Sequence, residues 1–232
     1  MAIALDASSQ GSSNNTSSLT ISHTVGSGAN RVLYVFVASD DATDDLAGAT
    51  VTYGGTSLGS PIAVVPIGGS ATNWMYLWRM IAPPSGTANI VISAGTNMYL
   101  QSINSSWTDV DQTTPTGTVA TAATPGASSP SSLSATASAG GVVLDFLHRR
   151  QVASSLTPDA SQTRVGTEVS AVVGTSGSSY KAGSGSVAMV WTHASGGGIS
   201  TTHMAVPVNA ASSGGGSSIA PISNYYRMMR SA

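Results

Sequence analysis

The stretch Val142-Val-Leu-Asp-Phe-Leu147 decides the fold, together with Arg31-Val-Leu-Tyr-Val-Phe-Val37 in the first half of the chain. Both are short and nearly continuous apolar runs, rich in β-branched and aromatic residues. Runs of this length and composition are typical of strands in the interior of a sheet. We therefore predict that these two segments are buried central strands.

Working outward, further segments rich in Val, Ile, Leu, Thr and aromatic residues recur at short spacing between clusters of Gly, Ser, Asn and Pro. Helical periodicity is nowhere sustained. This pattern predicts an all-β fold, an antiparallel β-sandwich or barrel. The predicted strands are residues 18–25, 31–39, 49–53, 62–67, 73–82, 88–94, 99–108, 131–137, 142–148, 162–172, 186–193 and 201–208.

Two connections carry clear turn chemistry. Tyr53-Gly54-Gly55-Thr56 predicts a tight turn between antiparallel strands, because glycine takes positive φ at little steric cost. Residues 113–130 are dense in Thr, Ala, Pro and Ser, and they predict a long surface connection. The same stretch could divide two tandem domains. Because no repeat of clear period is visible, we favour one domain over residues 1–211.

The chain is poor in charge, with 8 Lys and Arg and 10 Asp and Glu among 232 residues. Its formal net charge of -2 gives no positive patch of the kind that binds nucleic acid. Cysteine is absent, which excludes a disulfide framework. The N-terminus has no basic segment followed by an apolar one, and no stretch is long enough for a membrane span. We expect a protein made in a cytoplasm without a signal peptide and without a membrane contact.

The amino-acid composition changes after the last predicted strand. Residues 212–218 read Ser-Ser-Gly-Gly-Gly-Ser-Ser, a flexible linker, and residues 219–232 form a short arm too small to have its own core. Aromatic, Met and Arg side chains are enriched at protein interfaces. We predict an extended C-terminal arm that docks on a partner through Ile219, Ile222, Tyr225, Tyr226, Arg227, Met228, Met229 and Arg230.

Trp74, Tyr76 and Trp78 alternate along one predicted strand, so their rings share one face of the sheet. An exposed face would give a platform for stacking sugars, whereas a buried face would give core or a subunit interface. Met75 and Leu77, on the opposite face, are apolar as well. Because both faces of this strand carry apolar side chains, we expect both faces to be covered, and we favour core or a subunit interface over sugar binding.

An acidic loop gathers Asp40, Asp41, Asp44 and Asp45, and clustered carboxylates are what Ca²⁺ requires. The spacing departs from that of a known calcium loop, so we favour a solvated hairpin tip and expect no cofactor. Asp109 and Asp111, in the stretch Thr108-Asp-Val-Asp-Gln-Thr-Thr-Pro115, could bind an ion or cap a turn, and we favour turn capping.

Motifs for catalysis are not recognisable. The histidines His23, His148, His193 and His203 show no metal-ligand spacing, and no Gly-x-Ser-x-Gly elbow is present. Glu168 is the single Glu, so a glycosidase pair of carboxylates has no support. Arg149 and Arg150 could pair with the acidic loop or form an ordinary solvated strand end. We predict that the chain is not an enzyme.

A resemblance adds to this interpretation. It is carried by Val51-Thr-Tyr-Gly-Gly-Thr-Ser-Leu58, Trp78, Pro83-Pro-Ser-Gly-Thr-Ala-Asn-Ile-Val-Ile92 and Val110-Asp-Gln-Thr-Thr-Pro115. As a set these motifs resemble a β-sandwich domain of phage virion proteins and of uncharacterised bacterial surface proteins, over about residues 18–209. The resemblance implies a jelly-roll-like sandwich of two antiparallel sheets and supplies no catalytic residue.

The expected function is therefore that of a non-enzymatic virion protein, a capsid decoration or cement subunit. Its partners would be other virion proteins, such as the major capsid protein, and further copies of itself. Two alternatives remain open at this stage. One is a tail-fibre or receptor-binding module, and the other is a carbohydrate-binding module of a bacterial surface protein with Ca²⁺ in the acidic loop.

Overall fold

The computed structural model describes residues 2–40, 45–67, 73–124, 126, 129–151, 155–171, 174–193 and 199–212. A short 3₁₀ turn spans Asp45–Gly48, and the rest of the regular structure is β. The strands are β1 Ala4–Val25, β2 Val32–Asp40, β3 Thr50–Tyr53, β4 Thr56–Ser57, β5 Ala63–Pro66, β6 Asn73–Ile81, β7 Gly86–Thr108, β8 Ala120–Thr124, β9 Ser131–Ala137, β10 Val142–Arg149, β11 Leu156–Pro158, β12 Thr163–Arg164, β13 Val169–Ala171, β14 Gly174–Ala182, β15 Gly185–His193 and β16 Thr201–Val208.

The strands form three sheets. Sheet 1 has the order β4-β3-β7-β2-β6-β5, with β1 also paired to β7. Sheet 2 has the order β12-β14-β10-β16-β8, with β13 also paired to β14, and sheet 3 has the order β11-β15-β9. Every strand pair is antiparallel. The prediction of an all-β, sandwich-like antiparallel fold is confirmed.

Sheet 1 curls because its two longest strands bend together. β1 and β7 pair along their whole length, and the register shifts between Ser13 and Ser18. Bulges of this kind bend a strand and increase its twist. The bend lets Leu19 and Ile21 of β1 join the cluster of buried residues that also holds Val35 and Trp78. Sheet 1 thus encloses a core of its own and has the form of a half-barrel.

The main core lies between sheets 1 and 2. Phe36 of β2 and Phe146 of β10 stack in its centre, with ring centroids 4.6 Å apart and an interplanar angle of 9°. Both predicted central strands are buried on both faces: every residue of β10 is buried, as are Val32 to Ser39 of β2. The prediction for these two strands is therefore confirmed.

Sheet 3 covers the other face of sheet 2. Val143 of β10 and Ala205 of β16 pack there against Ala135, Val187 and Met189 of sheet 3. A second, smaller contact joins Leu147, Leu156 and Trp191. The described part of the chain consequently has three layers with sheet 2 in the middle, which corrects the two sheets that the resemblance implied.

Four strands, β4, β8, β11 and β14, were not predicted from the sequence, and the strand predicted over residues 18–25 begins earlier, at Ala4. β14 reads Gly-Thr-Ser-Gly-Ser-Ser-Tyr-Lys-Ala, a composition that indicates a loop, and β8 lies in the predicted connection 113–130. In addition, the predicted strands 88–94 and 99–108 are one strand, β7. The predicted turn at Gly54 and Gly55 is present, with φ of 56° and 81°, and it joins β3 to β4.

Glycine at position 177 of β14 is required by packing. A Cβ added there would lie 2.9 Å from the Trp191 ring, inside the distance that real contacts allow. At Gly95 of β7 an added Cβ meets nothing within 4 Å, and that residue has no positive φ. The two glycines therefore form a matched pair for testing the contact between sheets 2 and 3.

We predict that Gly177→Ala lowers the free energy of unfolding by about 1–3 kcal/mol, because the methyl group displaces the Trp191 ring. Gly95→Ala should leave stability unchanged or raise it slightly, because alanine has less freedom to lose on folding. Urea unfolding followed by tryptophan fluorescence measures both. Equal stability of the two variants would contradict the packing described here.

Candidate functional site

The most polar part of the interior surrounds Asp145, whose side chain is fully buried between sheets 2 and 3. Its Oδ1 accepts hydrogen bonds from the Ser179 backbone N–H at 2.9 Å and from the Ser179 hydroxyl at 2.6 Å. Its Oδ2 accepts from the Trp191 indole N–H at 2.7 Å and from His203 Nε2–H at 2.8 Å. Four donors and no acceptor contact this carboxylate, which matches the acceptor-only character of the ionised group.

Further contacts to Ser179 and Trp191 hold these donors in place. Gln162 donates from Nε2 to Ser179 Oγ at 2.7 Å and accepts the Val190 N–H at 2.6 Å. The guanidinium of Arg164 lies over the Trp191 ring, 5.4 Å from its centroid, and forms an ion pair with Glu168 at 3.1 Å. The single Glu of the chain therefore has a structural contact in sheet 2.

We predict that Asp145→Asn lowers the free energy of unfolding by about 3 kcal/mol, because an amide NH₂ would face two of the four buried donors. Asp159→Asn is the matched control: Asp159 Oδ1 caps an exposed turn by accepting the Ser161 N–H and hydroxyl, and asparagine keeps that oxygen. Thermal and urea melts compare the two variants. Equal destabilisation would show that the carboxylate is not needed at position 145.

Another polar chain joins sheets 1 and 2. Gln101 of β7 donates from Nε2 to the Gly174 carbonyl at 2.7 Å, and its Oε1 accepts from the Ser176 hydroxyl at 2.6 Å. Because the Ser176 proton is used in this way, Ser176 Oγ accepts from His148 Nδ1–H at 2.9 Å. Burial, with a smaller contribution from the Arg150 cation, lowers the pKa of His148 from 6.5 to about 3.

This depressed pKa makes stability dependent on pH. Between pH 6.5 and 3 the unfolded chain binds a proton at His148 that the folded chain does not bind. The contribution of neutral His148 to the free energy of unfolding is therefore fully present above pH 6.5. It falls as the pH decreases, by up to about 1.4 kcal/mol per pH unit. Burial lowers the pKa of His23 in the same direction.

We predict that His148→Gln, which removes the titrating group, reduces the slope of the unfolding free energy against pH between pH 6.5 and 3. The reduction corresponds to at most one bound proton. Urea unfolding at half-unit pH intervals measures the slope. His23→Gln serves as the comparison, because it removes the other buried histidine with a lowered pKa. A slope unchanged by His148→Gln would contradict the neutral, buried state of His148.

Arg149 corrects one expectation of the sequence. It is not a solvated strand end, because its side chain is fully buried. The guanidinium donates to Gln151 Oε1 at 2.9 and 3.0 Å and to His193 Nδ1 at 2.5 Å. His193 therefore carries its proton on Nε2 and donates it to Ser131 Oγ at 2.9 Å. In this arrangement His193 cannot act as a base toward Ser131.

A small pocket of about 140 Å³ lies beside His203, between β8, β9 and β16. The residues that line it are short or polar: Ala122, Thr124, Pro130, Ser131, Ser132, Thr201 and His203. Among the described residues, His203 Nδ1 has no hydrogen-bond partner. The pocket can hold a few water molecules or a small hydroxylated molecule.

One side of the three-layer sandwich leaves three strand edges open. β5 is the last strand of sheet 1, β8 of sheet 2 and β9 of sheet 3, and within the described residues none of them has a strand on its outer edge. β8 contacts both β5 and β9, so the three edges lie side by side. We call this surface the open side.

Two grooves separate these edges. A groove of about 510 Å³ between β5 and β8 includes Val64, Arg79, Thr118 and Thr121 in its lining. A groove of about 410 Å³ between β8 and β9 is lined by Thr118, Val119, Ala120, Ser134, Ala135, Thr136 and Ser186. Val64 is 43% exposed, and among the described residues it is one of two large hydrophobic side chains exposed to this degree.

The aromatic residues of β6 lie inside the fold. Tyr76 and Trp78 are buried in the core of sheet 1, where their rings stack with centroids 5.4 Å apart, and Trp74 packs half-buried beside them. Met75 and Leu77 belong to the main core on the opposite face. A sugar could not stack on Tyr76 or Trp78 without opening the sheet. These two residues are therefore core residues.

Of the other predicted sites, the Asp111 turn cap lies within the described residues, whereas most of the acidic loop and the arm do not. Asp111 Oδ1 accepts the Thr113 and Thr114 N–H groups at 2.7 and 2.8 Å, as expected for a turn cap, and these bonds lower its pKa. Asp41 and Asp44 lie outside the described residues, as do the side chains of Asp40 and Asp45 and the arm residues 219–232. In the part of the chain that the structure describes, no three His, Asp or Glu side chains form a metal site.

Asp145, Ser179 and Trp191 were not predicted as site residues from the sequence, and His203 was considered only as a metal ligand. The signal for Asp145 was present, because a lone carboxylate interrupts the apolar run of β10 and a buried carboxylate requires donors. The identity of those donors was not visible, since Ser179, Trp191 and His203 come from three other strands.

Comparison with protein-family models, with curated proteins and with solved structures found no match for this chain. The resemblance to the phage sandwich domain therefore stays a prediction. No helix in the described ranges is long and apolar enough to cross a membrane.

Proposed function

We propose that this chain is a non-enzymatic structural subunit of a phage particle, a capsid decoration or cement protein anchored to its neighbours by its C-terminal arm. The observation that carries the proposal is the open side. Free strand edges pair readily with other chains, and monomeric proteins protect them with charged residues, prolines or covering loops. Here β8 presents only Ala and Thr at such an edge.

The composition supports the same conclusion. Only 8% of the residues are charged, and a monomeric surface normally depends on interspersed charges for solubility. The outer face of sheet 3 illustrates this property, because its exposed residues are short and uncharged: Ser132, Ser134, Thr136, Ser186, Ala188 and Thr192. A face without long or charged side chains suits permanent contact with a neighbouring subunit.

The polar interior favours a structural role over catalysis. The Asp145 carboxylate has donors on both oxygens, and the proton on His193 Nε2 is directed at Ser131. These contacts stabilise packing between sheets. Within this proposal the partners are other virion proteins, such as the major capsid protein, and further copies of the chain, and the location is the virion surface.

Mass spectrometry of purified phage particles tests the proposal. We expect peptides of this chain at a copy number of the same order as that of the major capsid protein. A second sample carries the chain with residues 212–232 deleted, and we expect it to fold with an unchanged melting temperature but to be missing from particles. Particles that contain no peptides of the full chain would overturn the proposal.

A further inference from the structure

Two chains of buried polar groups end at the pocket beside His203, which we call the His203 pocket. In the first chain, Asp145 Oδ2 accepts the His203 Nε2–H at 2.8 Å. A neutral imidazole that carries its proton on one nitrogen has a lone pair on the other, so His203 Nδ1 is an acceptor. This atom is buried and has no hydrogen-bond partner within the described residues. Buried polar atoms of native proteins normally have one.

The second chain begins at the buried guanidinium of Arg149, which donates to His193 Nδ1 at 2.5 Å. His193 Nε2–H donates in turn to Ser131 Oγ at 2.9 Å. The proton of the Ser131 hydroxyl is left to donate elsewhere. Its nearest acceptor within the described residues is Thr201 Oγ1 at 3.5 Å, which is longer than a normal O–H···O bond. Because its chain starts at a buried cation, the Ser131 hydroxyl is a polarised donor.

The two chains reach the pocket from different sheets. Thr201, His203 and Ala205 alternate along β16, so they share the face of sheet 2 on which Ala205 packs against sheet 3. Ser131 belongs to β9 of sheet 3, and both it and His203 line the pocket. The His203 pocket therefore has an acceptor supported by a carboxylate on one wall and a donor supported by a guanidinium on another.

Charge and size restrict what this pocket can bind. With His203 neutral, the lining residues that the structure describes carry no formal charge, so a charged ligand would lose its hydration without contacting a counter-ion. The volume of about 140 Å³ exceeds the space of a single water molecule, which is about 30 Å³ in the liquid. The pocket thus has room for a neutral molecule of the size of glycerol.

We propose that the His203 pocket is a binding site for a neutral polyol with two adjacent hydroxyl groups, either a free polyol or the diol of a sugar. One hydroxyl donates to His203 Nδ1, and its neighbour accepts the proton of Ser131. Both polar chains are then complete, and one molecule joins their ends. Binding uses only residues of the sandwich, so it does not depend on the virion role or on the C-terminal arm.

NMR spectroscopy of the full chain with ¹⁵N-labelled histidine detects this contact directly, because the Nδ1 signal of a neutral ring moves when that nitrogen accepts a hydrogen bond. Propane-1,2-diol and propan-1-ol are the paired probes, since they differ by one hydroxyl group. We expect propane-1,2-diol to move the Nδ1 signal of His203 in a saturable way, and propan-1-ol to leave it in place. Glycerol and methyl α-glucoside then compare a free polyol with a sugar.

Substitutions in the lining test the location. Ser131→Ala removes the donor and is expected to weaken the affinity for propane-1,2-diol about tenfold. Ala122→Val keeps both polar chains and fills space, because Ala122 lies opposite His203 on β8 and lines the pocket. We expect it to weaken the same affinity at least about tenfold. Ala188→Val, at an exposed position of β15, is the matched control and should leave the affinity unchanged. Thermal melts show that each variant is folded.

Several outcomes would overturn the proposal. If none of the probes moves the His203 signal, the pocket binds water only. Equal movement with propane-1,2-diol and propan-1-ol would reject recognition of a diol. Equal affinities of Ala122→Val and Ala188→Val would place the binding site elsewhere. Tighter binding of either glycerol or methyl α-glucoside supports the proposal and identifies the source of the diol.

Discussion

The carboxylate of Asp145 is the contact on which the three-layer arrangement depends. Apolar contacts between sheets 2 and 3 are modest, since several of them come from alanines such as Ala135, Ala137 and Ala205. The four hydrogen bonds to Asp145 add direction to this contact, because they fix β10, β14, β15 and β16 relative to one another. A buried carboxylate is unfavourable unless its donors are in place, and so the donors from β14, β15 and β16 select one packing of the sheets.

Short side chains make this cluster possible. The Trp191 ring can approach sheet 2 because position 177 has no Cβ, and the serines of β14 supply hydroxyls where longer residues would separate the layers. The richness in Gly, Ser, Thr and Ala therefore has two effects in one molecule. Inside, it lets sheets and polar groups come close, and outside it produces surfaces of short, uncharged side chains and strand edges without charged residues.

The sequence predicted the elements whose apolar pattern is strong and missed those that depend on tertiary contacts. β2 and β10 are continuous apolar runs, and the alternation of β6 placed Tyr76 and Met75 correctly on opposite faces. β14 could not be predicted, because its Gly and Ser residues are selected by Trp191 and Asp145 rather than by strand propensity. The open side was invisible for the same reason: an edge is defined by the strands that are not beside it.

Because sheet 1 is synthesised before sheets 2 and 3, its apolar face stays uncovered for part of the protein's synthesis. Residues up to Thr108 build sheet 1, whereas everything that covers its main-core face is synthesised later. The first pairing, Ala4 opposite Thr108, itself joins residues about as distant as the half-chain allows. A nascent first half can close its own small core yet still presents Phe36 and Leu77 to solvent until β10 and β16 arrive. Translation speed through the second half therefore sets how long this apolar face stays open to chaperones and to other nascent chains.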